Sequence, residues 1–343
     1  VKRIHVKQKI EGTAMSANKS NDHSFLALIA GKLQGAFPLA LLLLVFLSGC
    51  KAPDPKPFQD YAAAVHGAGD NMELALSRDT DWSREKYISS VLNGSVKLRD
   101  IALFDKKGPF NVVFPGANGL ANQPTFYRLQ SARLTLVAMN EATKKYVDLL
   151  ATLASSDLIS PDSFESMAGD VNHSFDSIAT TLKAQLPGEA LPVLSLATSE
   201  VMRAIAENHR HKALEEILEK SQKPMEQYSS LCLKLLRIMD QSLTTDYDAQ
   251  ATRIEDEFSQ IAPGKRASDP DARKLVEQLL QLNTDYLALM NSLIAAKNIY
   301  ETLPQGHSDL LKSLQNKPTN LAAIKELFSE AQRLKRIYNE LKQ

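Results

Sequence analysis

The sequence predicts an all-α fold, an elongated multi-helix antiparallel bundle of long, coiled-coil-like (spectrin-like) helices. Three observations lead there. The 343 residues include only 14 Gly and 15 Pro, and from Pro124 onward the prolines fall at 161, 187, 192, 224, 263, 270, 304 and 318, leaving long stretches almost free of helix breakers. Each stretch carries apolar residues in alternating steps of three and four, the spacing that lines one helix face. None shows the period-two alternation of a half-buried strand. A 30-residue helix spans about 45 Å, and several joined by short turns cover their apolar faces by folding back antiparallel.

Composition narrows the class. With 44% apolar residues and 40 Lys+Arg against 40 Asp+Glu, the chain is neither disordered nor a polytopic membrane protein. The charge is unevenly spread: residues 1–49 hold six Lys/Arg and two Asp/Glu, which leaves 34 − 38 = −4 for the rest. A generic nucleic-acid partner is therefore disfavoured.

The elements follow in order. Ala36 to Leu47 reads AFPLALLLLVFL, an apolar run of twelve, short of the ~20 residues that cross a bilayer but of the length of a signal-peptide core. Lys19 and Lys32 precede it, and it ends in Leu47-Ser48-Gly49-Cys50. This N-terminal segment resembles the signal peptide and lipobox of bacterial lipoproteins. The resemblance implies removal of residues 1–49, lipid on Cys50 (diacylglyceryl on the thiol and an acyl chain such as palmitate on the new amine), and with Lys51 rather than Asp next, an outer-membrane position facing the periplasm. Two or more chains suffice for stable anchoring at about 0.8 kcal/mol per buried methylene. Met15 is an alternative initiation point. Pro53, Pro55 and Pro57 make 50–57 a semi-rigid, extended tether.

Residues 58–124 read as an N-terminal helical hairpin and an irregular loop. Phe58, Tyr61, Val65, Ala68 and Met72 mark the first helix, weakened by Gly67 and Gly69; Tyr87, Val91, Leu98 and Ile101 mark the second, with Asp81 as its N-cap. The loop 105–124 holds Phe110, Val112, Val113 and Phe114 among helix-breaking Gly and Pro, so it is expected either to plug a bundle end or to bind a partner.

Residues 125–343 read as the long-helix bundle. Segment 125–155 carries Leu129, Ala132, Leu136, Met139, Thr143, Tyr146, Leu150 and Leu153; 161–186 carries Phe164, Met167, Val171, Phe175, Ile178 and Leu182. Segment 192–222 is expected as one helix with Leu194, Val201, Ile205, Ala213 and Ile217, and 225–261 as another with Tyr228, Leu231, Leu235, Ile238, Ile254 and Phe258. Segment 270–303 runs Leu275, Leu279, Leu282, Tyr286, Leu289, Leu293, Ala296, Tyr300 and Leu303, beside a second stripe of Val276, Leu280, Leu287, Met290 and Ile294. Two stripes on one helix are expected to face neighbours in a bundle. The last, 319–342, has Leu321, Ile324, Phe328, Ala331, Leu334, Tyr338 and Leu341.

Chemical motifs are few. Cys232, in LCLKLLRIM, lacks a local base and reads as a small core residue. His209 and His211 are about 200° apart on a helix and cannot share a metal; His211 reads as part of an ion-pair face with Glu207 and Glu215, and His209 as a core histidine in line with Met202, Ala206 and Ala213. Asp170 and His173 supply only half of one di-iron motif. Gly67-Ala68-Gly69 and Gly264-Lys265-Arg266 lack the context of nucleotide or phosphate loops, and no hydrolase elbow or zincin helix occurs. No catalytic, cofactor or metal residue is assigned, and the expectation is not an enzyme. The expected function is that of a lipid-anchored envelope interaction or structural module with a protein partner and no nucleic acid. The alternative is a periplasmic small-molecule or metal-binding bundle with a site lined by seam Tyr and Met residues; an unrecognised periplasmic enzyme ranks third. A cavity with converging polar groups favours binding, whereas a dry core with an exposed apolar patch favours a protein partner.

Overall fold

The structure is a computed structural model that describes residues 53–92, 94, 125–155, 159–186, 188–189 and 193–341. The signal segment, Cys50 and the loop residues Phe110, Val112, Val113 and Phe114 lie outside the described residues. Every regular element among them is helical: α1 (Lys56–Leu92), α2 (Thr125–Ser155), α3 (Pro161–Gln185), α4 (Ser199–Ala206), α5 (Arg210–Gln260), α6 (Pro270–Leu314) and α7 (Ala322–Leu341), with a 3₁₀ turn at Pro263–Lys265. No described helix is long and apolar enough to cross a membrane.

Four helices close a ring, α1 against α2, α2 against α5, α5 against α6 and α6 against α1. Contacts along each pair run in opposite directions. His66 meets Asp148 while Tyr87 meets Tyr127, and Ser221 meets His307 while Thr244 meets Tyr286. The ring is thus up-down-up-down, the arrangement of antiparallel four-helix bundles. α7 covers the groove between α6 and α1, α3 packs on α2, and α4 on α5. One core, from Phe58 to Leu334, threads all seven helices, so α1 belongs to the same compact unit, residues 52–343, as the rest. The α2 stripe is buried throughout, as its 4-3 alternation predicts.

Local chemistry sets the helix ends. Ser160 accepts from the Ser163 amide at 3.1 Å with Pro161 opening α3, and Asp269 accepts from the amides of Asp271 and Ala272 at 2.9 and 3.3 Å with Pro270 opening α6.

Several expectations are corrected. Lys56–Leu92 is one 37-residue helix with no new start at Asp81, and residues 95–124, where the hairpin was expected to continue, lie outside the described residues. Its glycines are contact points rather than breaks: a Cβ on Gly69 would stand 2.8 Å from Lys144 Cε, so the bare backbone is what admits the Lys144 side chain, which binds Asp70 and Glu141 at 2.5 and 2.7 Å. Lys56 and Pro57, placed in the tether by the sequence, already belong to α1, whose Lys56 amide donates to Asp54 at 3.0 Å. Segment 192–222 is not one helix. Asn208 adopts φ +57°, and the amides of Asn208 and His209 return to the carbonyls of Ile205 and Ala204, a Schellman-type stop between α4 and α5. Conversely, Pro224 and Pro304 do not end helices but lie inside α5 and α6. Pro304 cannot donate to the Tyr300 carbonyl; the buried Ser229 hydroxyl on α5 does so instead. Gly306 lies in the same helix because Tyr61 and Leu327 leave no room there, a Cβ being 2.8 Å from the Tyr61 ring. On α7 the buried line passes through Leu327, and Phe328 is exposed.

The largest departure is on α6. Its first stripe is the packed one, but Val276, Leu280, Leu287 and Ile294 of the second are 45%, 61%, 62% and 45% exposed; only Met290 packs against the core. The ring needs one face of α6, and α7 covers the groove toward α1, which leaves this stripe outside.

Candidate functional site

Two groups of polar side chains are assembled from distant helices. The first is centred inside the ring. His307 of α6 is fully buried, with Nδ1 2.7 Å from Gln222 Oε1 and Nε2 2.7 Å from the Tyr146 hydroxyl and 3.1 Å from Ser221 Oγ. Gln222 spends its amide hydrogens on Glu226 and on the Pro304 carbonyl, so its oxygen faces the ring and His307 donates from Nδ1. Nε2 is left as the acceptor for Tyr146, whose ring also stacks on the imidazole at 5.8 Å. Burial drives the His307 pKa down to about 3 and the Tyr146 phenol well up. Serine, histidine and amide stand in the order of a hydrolytic triad, yet Ser221 and His307 are fully buried, Gln222 is half-buried, and Ser221 donates to the Ile217 carbonyl of its own helix at 2.5 Å. A buried network of this kind locks helix register.

The second group opens to solvent. A cleft of about 480 Å³ lies between α1, α5 and α6, within the size range of small-ligand sites. α1 presents Arg78, Trp82, Glu85, Lys86, Ser89 and Ser90 on one face, α5 presents Ala249, Gln250 and Arg253, and α6 presents Asp285 and Leu289. Next to it lies a buried ion pair: Asp246, 3% exposed, accepts from Lys86 Nζ at 2.6 Å and from Ser83 Oγ at 3.0 Å. Gln250, one turn on, has a buried Nε2 with no partner. No protein-family model, curated protein or solved structure matches this chain. Geometry alone therefore ranks the two groups, and of the two the cleft combines access, an aromatic wall and a donor without a partner, Gln250 Nε2.

The sequence-derived candidates are scattered. Cys50 and the four loop residues lie outside the described region. The seam tyrosines 61, 146 and 300 are core residues, Tyr61 donating to the Leu303 carbonyl at 3.0 Å and Tyr300 to Asn140 at 2.9 Å. Cys232 is buried, and burial pushes its thiol up to about 12. His209 is a correction: the turn at Asn208 takes it off the apolar line, and it is exposed, 3.4 Å from Glu207. His211 is half-buried, its Nε2 donating to the last α6 carbonyl, Leu314, at 2.9 Å rather than to a glutamate. Asp170 and His173 are exposed on α3. Among the described residues no three His, Cys, Asp or Glu side chains converge as metal ligands. The Trp82 cleft was not found from the sequence; the one usable signal was the lone tryptophan, followed by Glu85, Lys86, Ser89 and Ser90 at helical spacing.

Proposed function

We propose that this chain is a lipid-anchored helical interaction module of the bacterial cell envelope, held by acylated Cys50 at the outer membrane with its bundle in the periplasm and docked on a protein partner through α6. The observation that carries the docking is the stripe of Val276, Leu280, Leu287 and Ile294, which leaves an apolar line about 27 Å long uncovered on a helix whose opposite side is core. Ion pairs flank both ends, Arg273 with Glu277 and Lys297 with Glu301, all exposed. An apolar centre with a charged rim is the anatomy of a protein–protein contact, and the seven-residue spacing of Leu280, Leu287 and Ile294 suits a partner helix. The address rests on the LSGC box after a twelve-residue apolar core.

Two measurements test the parts separately. Cys50→Ser is expected to abolish fatty-acid labelling and leave an uncleaved precursor; maturation to the same size with the same label would refute the address. A photo-crosslinking residue at Leu287 is expected to trap one defined envelope protein, which a crosslinker at exposed Lys183 on α3 does not trap. Loss of that adduct in a Leu280→Ser variant supports the seam, and equal trapping at both sites removes it.

A further inference from the structure

We propose that the cleft beside Trp82 binds small organic anions with a flat apolar body. The inference goes beyond the docking seam, which lies on another face and uses other residues. Its apolar wall is the Trp82 indole together with Leu289. The polar lining is unequal in what it has left to give. Of the acidic members, Glu85 is paired with Arg84 at 2.7 Å and Asp285 accepts from Gln281 at 2.9 Å, each on its own helix, and the ammonium of Lys86 is held by buried Asp246. Two donor groups retain capacity. Gln250 Nε2 is buried with no acceptor, and the guanidinium of Arg253 meets its carboxylate, Glu257, only at 3.9 Å.

A buried N–H without a partner is costly, and a ligand oxygen placed beside it relieves that cost. A carboxylate, sulfonate or phosphate ester accepts from the amide and from the planar fork of Arg253 together, while its flat body lies on the indole. A neutral molecule of the same shape keeps the apolar contact and leaves the guanidinium unmatched. A cation meets Arg253 with repulsion. The donors of Gln250 and Arg253 therefore point to an anion as the ligand class.

Trp82 is the single tryptophan of the chain, so its fluorescence reports on this cleft alone. The test titrates the purified full-length chain with the aromatic sulfonate 8-anilinonaphthalene-1-sulfonate and with its uncharged analogue N-phenyl-1-naphthylamine, reading the quenching of Trp82. Saturable one-site quenching by the sulfonate is expected, with the uncharged analogue at least tenfold weaker. Arg253→Gln, at an exposed position, and Gln250→Leu are each expected to weaken the sulfonate at least tenfold with melting curves unchanged; if Gln250→Leu fails to fold, Arg253→Gln decides. A Leu280→Ser, Leu287→Ser double variant is expected to bind as the wild type does. Equal binding of the two probes, undiminished binding in Arg253→Gln, or loss of quenching in the double variant would each overturn the proposal.

Discussion

At the scale of single residues, the chemistry of His307 is set by where its proton can go. An exposed imidazole titrates near ~6.5, and burial holds His307 at about 3. Because the folded value is the lower one, the unfolded chain takes up the proton first; this share of stability is complete above about pH 6.5 and is lost progressively toward about 3. Between pH 7.5 and 4.5 the loss is about 2–3 kcal/mol. Urea unfolding at the two values should show His307→Gln less acid-sensitive than wild type by that amount, and equal slopes would place the acid sensitivity elsewhere. Gly306 carries a reversed expectation. Alanine is favoured over glycine by about 1 kcal/mol inside a helix, yet the added Cβ would press on the Tyr61 ring at 2.8 Å and on Leu327 at 3.3 Å. Gly306→Ala is therefore expected to destabilise by about 1–3 kcal/mol, and a raised melting temperature would show that Tyr61 moves aside without cost.

At the scale of the element, prolines separate what a sequence can say from what it cannot. The turn at Pro263–Pro270 was legible, because Pro, Gly and Asp269 as a cap act locally. Pro304 was misread, because whether a proline stops a helix depends on who satisfies the carbonyl four residues back, and here that group is Ser229, 71 residues away. The coupling is measurable. Ser229→Ala is expected to cost about 1–2 kcal/mol with Pro304 present and about 1 kcal/mol less in a Pro304→Ala background, where the helix supplies its own N–H; additive effects would show the two residues to be independent. The α6 stripes pose the same problem in another form. Leu282 and Leu287 belong to equally regular lines, and only the position of α6 in the ring decides that the first is buried and the second exposed. Leu289→Ala should accordingly cost about 2–5 kcal/mol in thermal unfolding, as core truncations do, whereas Leu287→Ser should leave the melting temperature unchanged. The Trp82 cleft was invisible for a related reason: its lining comes from three helices and runs from Arg78 to Leu289, some 210 residues of chain, and no short motif encodes it.

At the scale of the whole molecule, the class and the face of α2 were legible because burial there is continuous, and the ring order was not, because alternating stripes do not name their partners. The shared core predicts concerted unfolding. Trp82 sits where the main core meets the smaller cluster of Ile254, Leu275 and Leu282, and Cys232 lies deep in the main one. Trp82 fluorescence and the reactivity of Cys232 toward a thiol reagent should change at one urea midpoint; exposure of Trp82 ahead of Cys232 would show that the α5–α6 tip opens by itself. The contacts of α1 have a further consequence, in time rather than in space. Tyr61 is bonded to a carbonyl 242 residues later, and Asn71 to one 260 residues later. At about 5–20 residues per second of synthesis, the flank of α1 that faces α6 and α7 waits on the order of ten seconds or more for its partners. A chain that leaves the ribosome with its ring unclosed is still threadable, which is the state that the export proposed above requires.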